Sequence, residues 1–370
     1  VPGAGPAAAP GARLAQQRNF PCPNCGSELV WDPDIDAQLC GHCDYKRQVL
    51  QSSATIVERT LEEAQGAARG FGKSARASQC SKCGARVSFD DSATSTDCVF
   101  CGAASVLDQG ERRNPLRPES LVPLDIGREK VREHFRAWTR GLWFRPGALK
   151  RVADFQARGV YVPFWTFDAA VHSRWSAESG TYYYVTVMVP MVVNGKTTMV
   201  AQQVRHVRWS PAAGERSDAY DDLLVPASGF VRGDLLKRLG NFELGALVPY
   251  QPEYLAGWHA EEYRLDLAEG WKSAQGTIEA EQIARCGRDV PGDTYRSLQV
   301  ANTIRDVRWK HILLPVWTLT YRCNGKPYTV LIHGQTGRVE GEAPVSWIKV
   351  LGAVLGVAAA VLAVLALANL

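Results

Sequence analysis

The chain has 370 residues, 46% hydrophobic and 22% charged, enough for two or three units with cores of their own, which excludes a disordered protein and a single minimal domain. A formal charge of +4 excludes a strong average pull on nucleic acid or acidic substrates, so any electrostatic partner has to be sought locally. Ten cysteines would suggest disulfides in a short secreted chain. Here eight of them fall into four C-x-x-C pairs, the spacing of thiolate metal ligands, which points to a reducing compartment.

Residues 1–19, rich in Pro, Ala and Gly, read as a disordered tail without the charged and apolar blocks of a signal peptide. Two zinc ribbons follow, over 20–50 and 79–110. A shift of 58 residues lays Cys22, Cys25, Cys40 and Cys43 on Cys80, Cys83, Cys98 and Cys101, and Leu29 and Trp31 on Val87 and Phe89. Each copy therefore reads as a knuckle, a strand, a polar turn and a second knuckle. Both clusters are C-x2-C-x14-C-x2-C. Four soft thiolates suit tetrahedral zinc, and glycine beside the knuckles eases the tight turns. With all four positions filled by cysteine, no open coordination site remains for catalysis, so two structural Zn2+ ions are expected. His42, inside a knuckle, is expected to be a turn residue. Cys286 and Cys323 stand alone and should pack as apolar residues.

Residues 51–78 contain a short helix expected around Ile56–Ala64 and then a Gly-rich, basic linker, which predicts ribbons that swivel independently. Between Phe20 and Gly110 eight Lys or Arg stand against twelve Asp or Glu, so nucleic-acid binding is disfavoured there. Gly70-Phe71-Gly72-Lys73-Ser74 is no phosphate loop, because Ala67 stands where the first glycine belongs and no strand precedes it.

The segment 111–346 reads as an α+β domain with an internal strand duplication. Val131, Phe135, Trp138 and Leu142 recur at helical spacing over Arg128–Phe144, and eleven basic residues against four acidic ones from Arg112 to Arg151 make this its most cationic stretch. Tyr161-Val162-Pro163-Phe164-Trp165-Thr166-Phe167 and Leu313-Leu314-Pro315-Val316-Trp317-Thr318-Leu319 resemble each other and read as equivalent strands. Asn194-Gly195 marks a hairpin between strands, and Asn324-Gly325 a second. Helices are expected at Asp234–Leu239 and over roughly Ala260–Ala284. The histidines are scattered and no H-E-x-x-H or G-x-S-x-G motif occurs, so no catalytic residues or organic cofactor are expected and the chain does not read as an enzyme. Val350–Ala368 lacks charged residues and is expected to span a bilayer, with 347–370 as a tail anchor and Trp347 and Lys349 at its cytosolic edge. Gly352 and Gly356 form G-x-x-x-G, the spacing of a helix dimer.

The fold class expected is α+β: two N-terminal tandem zinc ribbons, a β-rich domain with helical insertions, and one C-terminal transmembrane helix. In the cysteine pairs, Leu142-Trp143-Phe144, Val162-Pro163-Phe164-Trp165, Leu313-Leu314-Pro315-Val316-Trp317 and Gly334-Gln335-Thr336-Gly337-Arg338-Val339-Glu340-Gly341, the chain resembles a bacterial family of membrane-anchored proteins with TFIIB-type zinc ribbons. Members are often named as primosomal helicases, but this chain has no ATPase motor motif. The resemblance implies zinc ligation at the eight cysteines and a place among phage-shock and flotillin-like assemblies in envelope stress. The function expected is a noncatalytic adaptor at the cytosolic face of the membrane, binding membrane or membrane-stress proteins. A tethered nucleic-acid-binding factor in replication or transcription is the alternative.

Overall fold

The computed structural model describes residues 20–50, 52–70, 75–80, 86–90, 95–97, 104–106, 115–141, 156–193, 196–229, 231, 233–323, 326–344 and 346–368. In chain order the elements are β1 (Leu29–Asp32), β2 (Ala37–Cys40), β3 (Lys46–Arg47), β4 (Arg59–Thr60), a 3-10 turn (Glu62–Gly66), β5 (Ala75–Gln79), β6 (Arg86–Asp90), β7 (Ser95–Asp97), β8 (Ala104–Val106), β9 (Ser120–Leu121), α1 (Arg128–Gly141) and β10 (Gln156–Val193). Then come β11 (Lys196–Pro226), α2 (Gly233–Leu239), β12 (Val248–Pro249), β13 (His259–Glu261), α3 (Leu267–Asp289), β14 (Thr294–Cys323), β15 (Lys326–His333), β16 (Val339–Gly341) and α4 (Trp347–Ala368). Strands β1, β2 and β3 form a small antiparallel sheet, β7 and β8 pair with each other, and the other described strands share one large sheet.

This corrects the α+β expectation: the protein is mostly β, with the large sheet curled into a half-barrel. β10, β11 and β14 run for 38, 31 and 30 residues, several times the usual strand length. β10, the longest, is rich in Val, Thr and aromatic residues, the types that suit a pleated, half-buried surface. Register shifts between Asp168 and Ala170 and between Ser176 and Glu178 bend the long strands, as bulges do.

The two similar segments lie side by side. Tyr161 pairs with Pro315, Val162 with Leu314 and Pro163 with Leu313, antiparallel, which places a local two-fold between Val162 and Leu314. The surroundings obey it. β13 joins β10 in parallel at Val160 and Tyr161, and β9 joins β14 in parallel at Ile312 and Leu313. Trp165 Nε1 donates to Leu265 O at 3.0 Å, and Trp317 Nε1 to Ile126 O at 2.9 Å. Each half is thus a short strand, a helix and a long hairpin: β9-α1-β10-β11 and β13-α3-β14-β15. Each tryptophan is fully buried and ties its hairpin to the strand-helix loop of the other half.

α1 packs through Val131 and Phe135, with the Phe135 ring 5.7 Å from that of Tyr321. The expected helix end near Phe144 lies outside the described residues. α3 starts later than expected, at a capping box in which Asp266 accepts from Glu269 N–H, and Ala260 belongs to β13 instead. Its buried stripe is Gly270, Ala274, Ile278, Gln282 and Cys286; a Cβ at Gly270 would stand 2.6 Å from Trp165 Cδ1. The expected helix at Ile56–Ala64 is replaced by β4 and the 3-10 turn. β4 is held in the sheet by pairing with Arg308 and Trp309, a tertiary contact outweighing local helix preference.

α4 is an exposed helix, with Ile348 and Leu351 open to solvent. Its backbone is helical from Trp347 to Ala368. Among the described residues no helix is long and apolar enough to cross a membrane. The bilayer span expected over Val350–Ala368 is therefore corrected, and with it the single-pass localisation.

Candidate metal centre

The first knuckle turns at Cys22, whose N–H donates to Ser27 O at 2.6 Å while Gly26 N–H returns to Cys22 O at 2.9 Å. Gly26 has φ +69°, the left-handed conformation a tight turn needs. The second knuckle repeats the geometry: Cys40 N–H donates to Tyr45 O and Asp44 N–H to Cys40 O. Asp44, at φ +55°, occupies the place of Gly26, which explains why this knuckle needs no glycine after its second cysteine. The β1-β2 hairpin between them sets the two turns facing each other.

All four sulfurs of Cys22, Cys25, Cys40 and Cys43 lie within 4.8 Å of one another; the Cys22–Cys43 and Cys25–Cys40 separations are 3.6 and 3.5 Å. A tetrahedron with Zn–S arms of ~2.3 Å has edges of about 3.8 Å, so the residues fit zinc: this four-cysteine group could hold a metal ion. The metal-free thiols are electrostatically uneven. Hydrogen bonds from the Ser27 side chain and backbone lower Cys25 to about 6. Cys43 receives a lowering bond from the Tyr45 backbone, but desolvation and the neighbouring sulfurs push it up to about 12. A divalent ion removes this conflict by favouring thiolate at every ligand. His42 sits in the turn and is outside the converging set.

The ribbon is fixed to the large sheet, contrary to the expected swivel. Trp31, 2% exposed, belongs to the sheet's core with Leu121, Trp258 and Trp317. Its ring meets Tyr254 edge-on at 4.7 Å, its backbone N–H donates to Ala256 O, and its carbonyl accepts from Trp258 Nε1 at 2.9 Å. Gln38 Nε2 adds a bond to Glu253 O, and Ala256 enters the ribbon's own core beside Cys22, Leu29 and Cys40. Gly257 permits the approach: at φ +73°, a Cβ there would stand 2.4 Å from Val30 Cγ1. Gly257→Ala is expected to destabilise the docked ribbon by about 1–3 kcal/mol through strain and overpacking. Faster amide exchange over residues 29–40, measured beside unchanged exchange in β14, would show it.

Of the second predicted set, only Cys80 is described; it is buried with Val122, Phe164 and Leu235. Cys83, Cys98 and Cys101 lie outside the described residues. Cys286 is buried between Trp175, Ala177 and Val290 as an apolar residue, and the side chain of Cys323 is not among those described.

Two buried polar groups escape sequence reading, having no motif to mark them. Glu261 on β13 is fully buried; its Oε1 accepts from Ser228 Oγ at 2.9 Å and from Gly229 N–H, while Oε2 has no partner. Burial raises it to about 8, against the lowering of those two bonds. His311 donates through Nδ1 to Leu116 O at 2.9 Å, and burial lowers it to about 4. Beside the bulge at Asp168, Lys310 bridges Glu58 at 2.9 Å and Asp222 at 2.7 Å, and burial raises Asp168 to about 6. A structural ion cluster fits this bulge, because Asp222, at φ +53°, also donates its N–H to Asp168 Oδ1.

Two of these shifts contribute to the pH dependence of stability in opposite directions. Glu261 is protonated longer in the folded state, so stability falls as pH rises from its unfolded value of ~4.5 towards 8. His311 stays neutral longer when folded, so stability falls as pH drops from ~6.5 to 4. Urea midpoints against pH should give a dome. Glu261→Gln should flatten the alkaline limb, on the order of a few kcal/mol, and leave the acid limb in place.

No family model matches the chain, and no solved structure matches it. It is similar to the uncharacterized protein YdjG of Bacillus subtilis (strain 168), with 26% identity over 356 residues that cover 95% of this chain and 97% of that protein. The similarity therefore runs through both the cysteine-rich region and the long hairpins.

Proposed function

We propose that this chain is a noncatalytic zinc-ribbon adaptor, in which metal-stapled ribbons and the curled sheet form one surface for binding other proteins. The observation that carries the reading is the seating of Trp31 in the core of the large sheet. A zinc module joined in this way acts as part of a scaffold, and four thiolates close the tetrahedron to substrate. The resemblance to the bacterial TFIIB-type ribbon family supports the same reading.

Two zinc ions per chain are part of the proposal. The second ribbon's ligation is supported by register: Pro21 pairs with Glu28 and, 58 residues on, Gln79 with Arg86. Likewise Gln38↔Arg47 and Leu39↔Lys46 recur as Thr96↔Ser105 and Asp97↔Ala104. Native mass spectrometry is expected to find two zinc ions per chain, falling to one in Cys80→Ser/Cys83→Ser. A single ion in the unaltered chain would refute the second site.

The adaptor reading is tested by crosslinking and affinity purification of the full chain beside Cys22→Ser/Cys25→Ser, with and without nuclease. A defined set of proteins that survives nuclease and is lost with the ribbon is the expected result. Recovery of nucleic acid and its processing proteins instead would overturn it in favour of a nucleic-acid-binding factor.

A further inference from the structure

β14 leaves the sheet where Thr294 pairs with Gly180. Past that point β11 is the sole described strand beside β10, paired with it from Thr181 and Arg208 out to Val193 and Lys196. The other edge of β10 is therefore open for about 43 Å at ~3.3 Å per residue. Asp293, just before β14, shows which groups line this edge: its N–H donates to Gly180 O at 2.8 Å, and its Oδ2 accepts from Tyr182 N–H at 2.7 Å. Main-chain groups alternate sides along a strand, and the β10-β11 register runs unbroken from Ala169 to Val193. Tyr184, Thr186, Met188 and Val192 thus each turn an N–H and a C=O to the open edge. Pro190 falls on the same side, where its missing N–H costs the β10-β11 pairing nothing.

Proteins guard such an edge with charges, bulges or a covering element, because it otherwise pairs with another chain. β11 carries Lys196, Arg205 and Arg208 over the same length, but from Thr181 to Val193 there is no charged residue, and Tyr184, Met188 and Met191 are each half exposed or more. The open edge is complementary to itself. When two copies pair antiparallel, the register of greatest overlap that stops short of β14 sets Thr181 against the partner's Val193, with the two-fold axis at Val187. Every edge N–H not already bonded then meets a carbonyl: Thr186 and the partner's Met188 exchange both bonds, Tyr184 donates to the partner's Pro190, and Val192 to the partner's Tyr182. The residue types match as well. On one face Val187 meets the partner's Val187, Val185 the partner's Val189, and Tyr183 the partner's Met191; on the other, Tyr184 meets the partner's Pro190. These are β-branched and aromatic cross-strand pairs of the kind that stabilise sheets, with a thioether set against a tyrosine ring.

We propose that β10 pairs edge to edge with β10 of a second copy, joining two large sheets through an antiparallel, two-fold contact over Thr181–Val193. A contact of this symmetry uses the same patch on both copies and closes at two, so it gives a dimer and not a fibre. It rests on the open edge alone and stands or falls apart from the adaptor reading; a dimer would present each protein-binding surface twice and strengthen its hold on a clustered target.

Analytical ultracentrifugation of the full chain is expected to show a concentration-dependent dimer. Val187→Asp, which sets two carboxylates face to face at the axis, should weaken it about tenfold or more, with amide exchange in β14 unchanged because the fold is intact. Cysteine crosslinking reads the register, with the unaltered chain and its native cysteines as background. Val187→Cys should form an intermolecular disulfide under mild oxidation, since directly opposite residues outside the hydrogen-bonded pairs stand about 4.5 Å apart at Cα, within disulfide reach. Val185→Cys or Val189→Cys alone should not crosslink, each being about 13 Å from its own counterpart, whereas a mixture of the two should. A chain that stays monomeric overturns the proposal and leaves the edge to a different chain. So does a dimer that Val187→Asp leaves at full strength, which assigns the contact to the exposed α4, or equal crosslinking at all three positions, which means that no register is fixed.

Discussion

Stripping the metal from the full chain is expected to melt the first ribbon while the large sheet stays folded. The apolar core of this ribbon is small: Phe20, Cys22, Leu29, Cys40 and the borrowed Ala256, two of which are themselves ligands. Such a core cannot offset the entropy of ordering its turns. In small zinc modules metal binding contributes on the order of 10 kcal/mol, and that binding energy is folding energy. Without it the sulfurs 3.5–3.6 Å apart are left as an uneven set, with Cys25 low and Cys43 high. A strong chelator at neutral pH, or Cys40→Ser, should raise amide exchange across residues 20–47 by orders of magnitude. Unchanged protection there after complete metal removal would mean that docking to the sheet, and not zinc, holds the ribbon.

Trp31→Ala carries the second large effect, because one side chain joins the ribbon to the sheet. Its ring is 2% exposed in a cluster with Leu121, Trp258 and Trp317, and truncating a buried tryptophan costs about 3–5 kcal/mol. Its indole Nε1 has no hydrogen-bond partner, so Trp31→Phe should keep most of the stability, losing only part of the packing against Tyr254. Chemical denaturation of the three proteins should rank them wild type, Phe, Ala. Equal loss in Phe and Ala would place the contribution in the indole ring's width. No loss in Ala would mean that the ribbon is carried by the backbone bonds to Ala256 and Trp258 alone.

The ribbon is readable in the sequence because metal ligation constrains spacing directly: two knuckles fourteen residues apart can meet only if a hairpin lies between. The likeness of Val162-Pro163-Phe164-Trp165 to Leu314-Pro315-Val316-Trp317 also shows, though not that the two pair around a two-fold. Pairing over residues that far apart leaves no local mark. α3 begins later than its sequence suggests because its buried stripe, Gly270, Ala274, Ile278, Gln282 and Cys286, is small and partly polar. Its periodicity is steric and permits close approach to Trp165, whereas sequence reading weighs hydrophobicity. The D-x-x-E of Asp266 and Glu269 is the signal that sets the start. The extreme strand lengths are hidden by expecting strands of ordinary size. Glu261 and His311 are illegible in principle, since burial is a property of the assembled sheet. The membrane span rests on composition alone over Val350–Ala368, and among the described residues no helix meets the requirement.

The most direct test of the central claim is zinc-edge X-ray absorption on the purified full chain, which reads the ligand atoms themselves. Sulfur-only coordination at about 2.3 Å, lost together with the metal in Cys22→Ser/Cys25→Ser/Cys80→Ser/Cys83→Ser, is the predicted result. Nitrogen or oxygen atoms bound to the zinc, or a chain that purifies without zinc and with its ribbon amides protected, would contradict it.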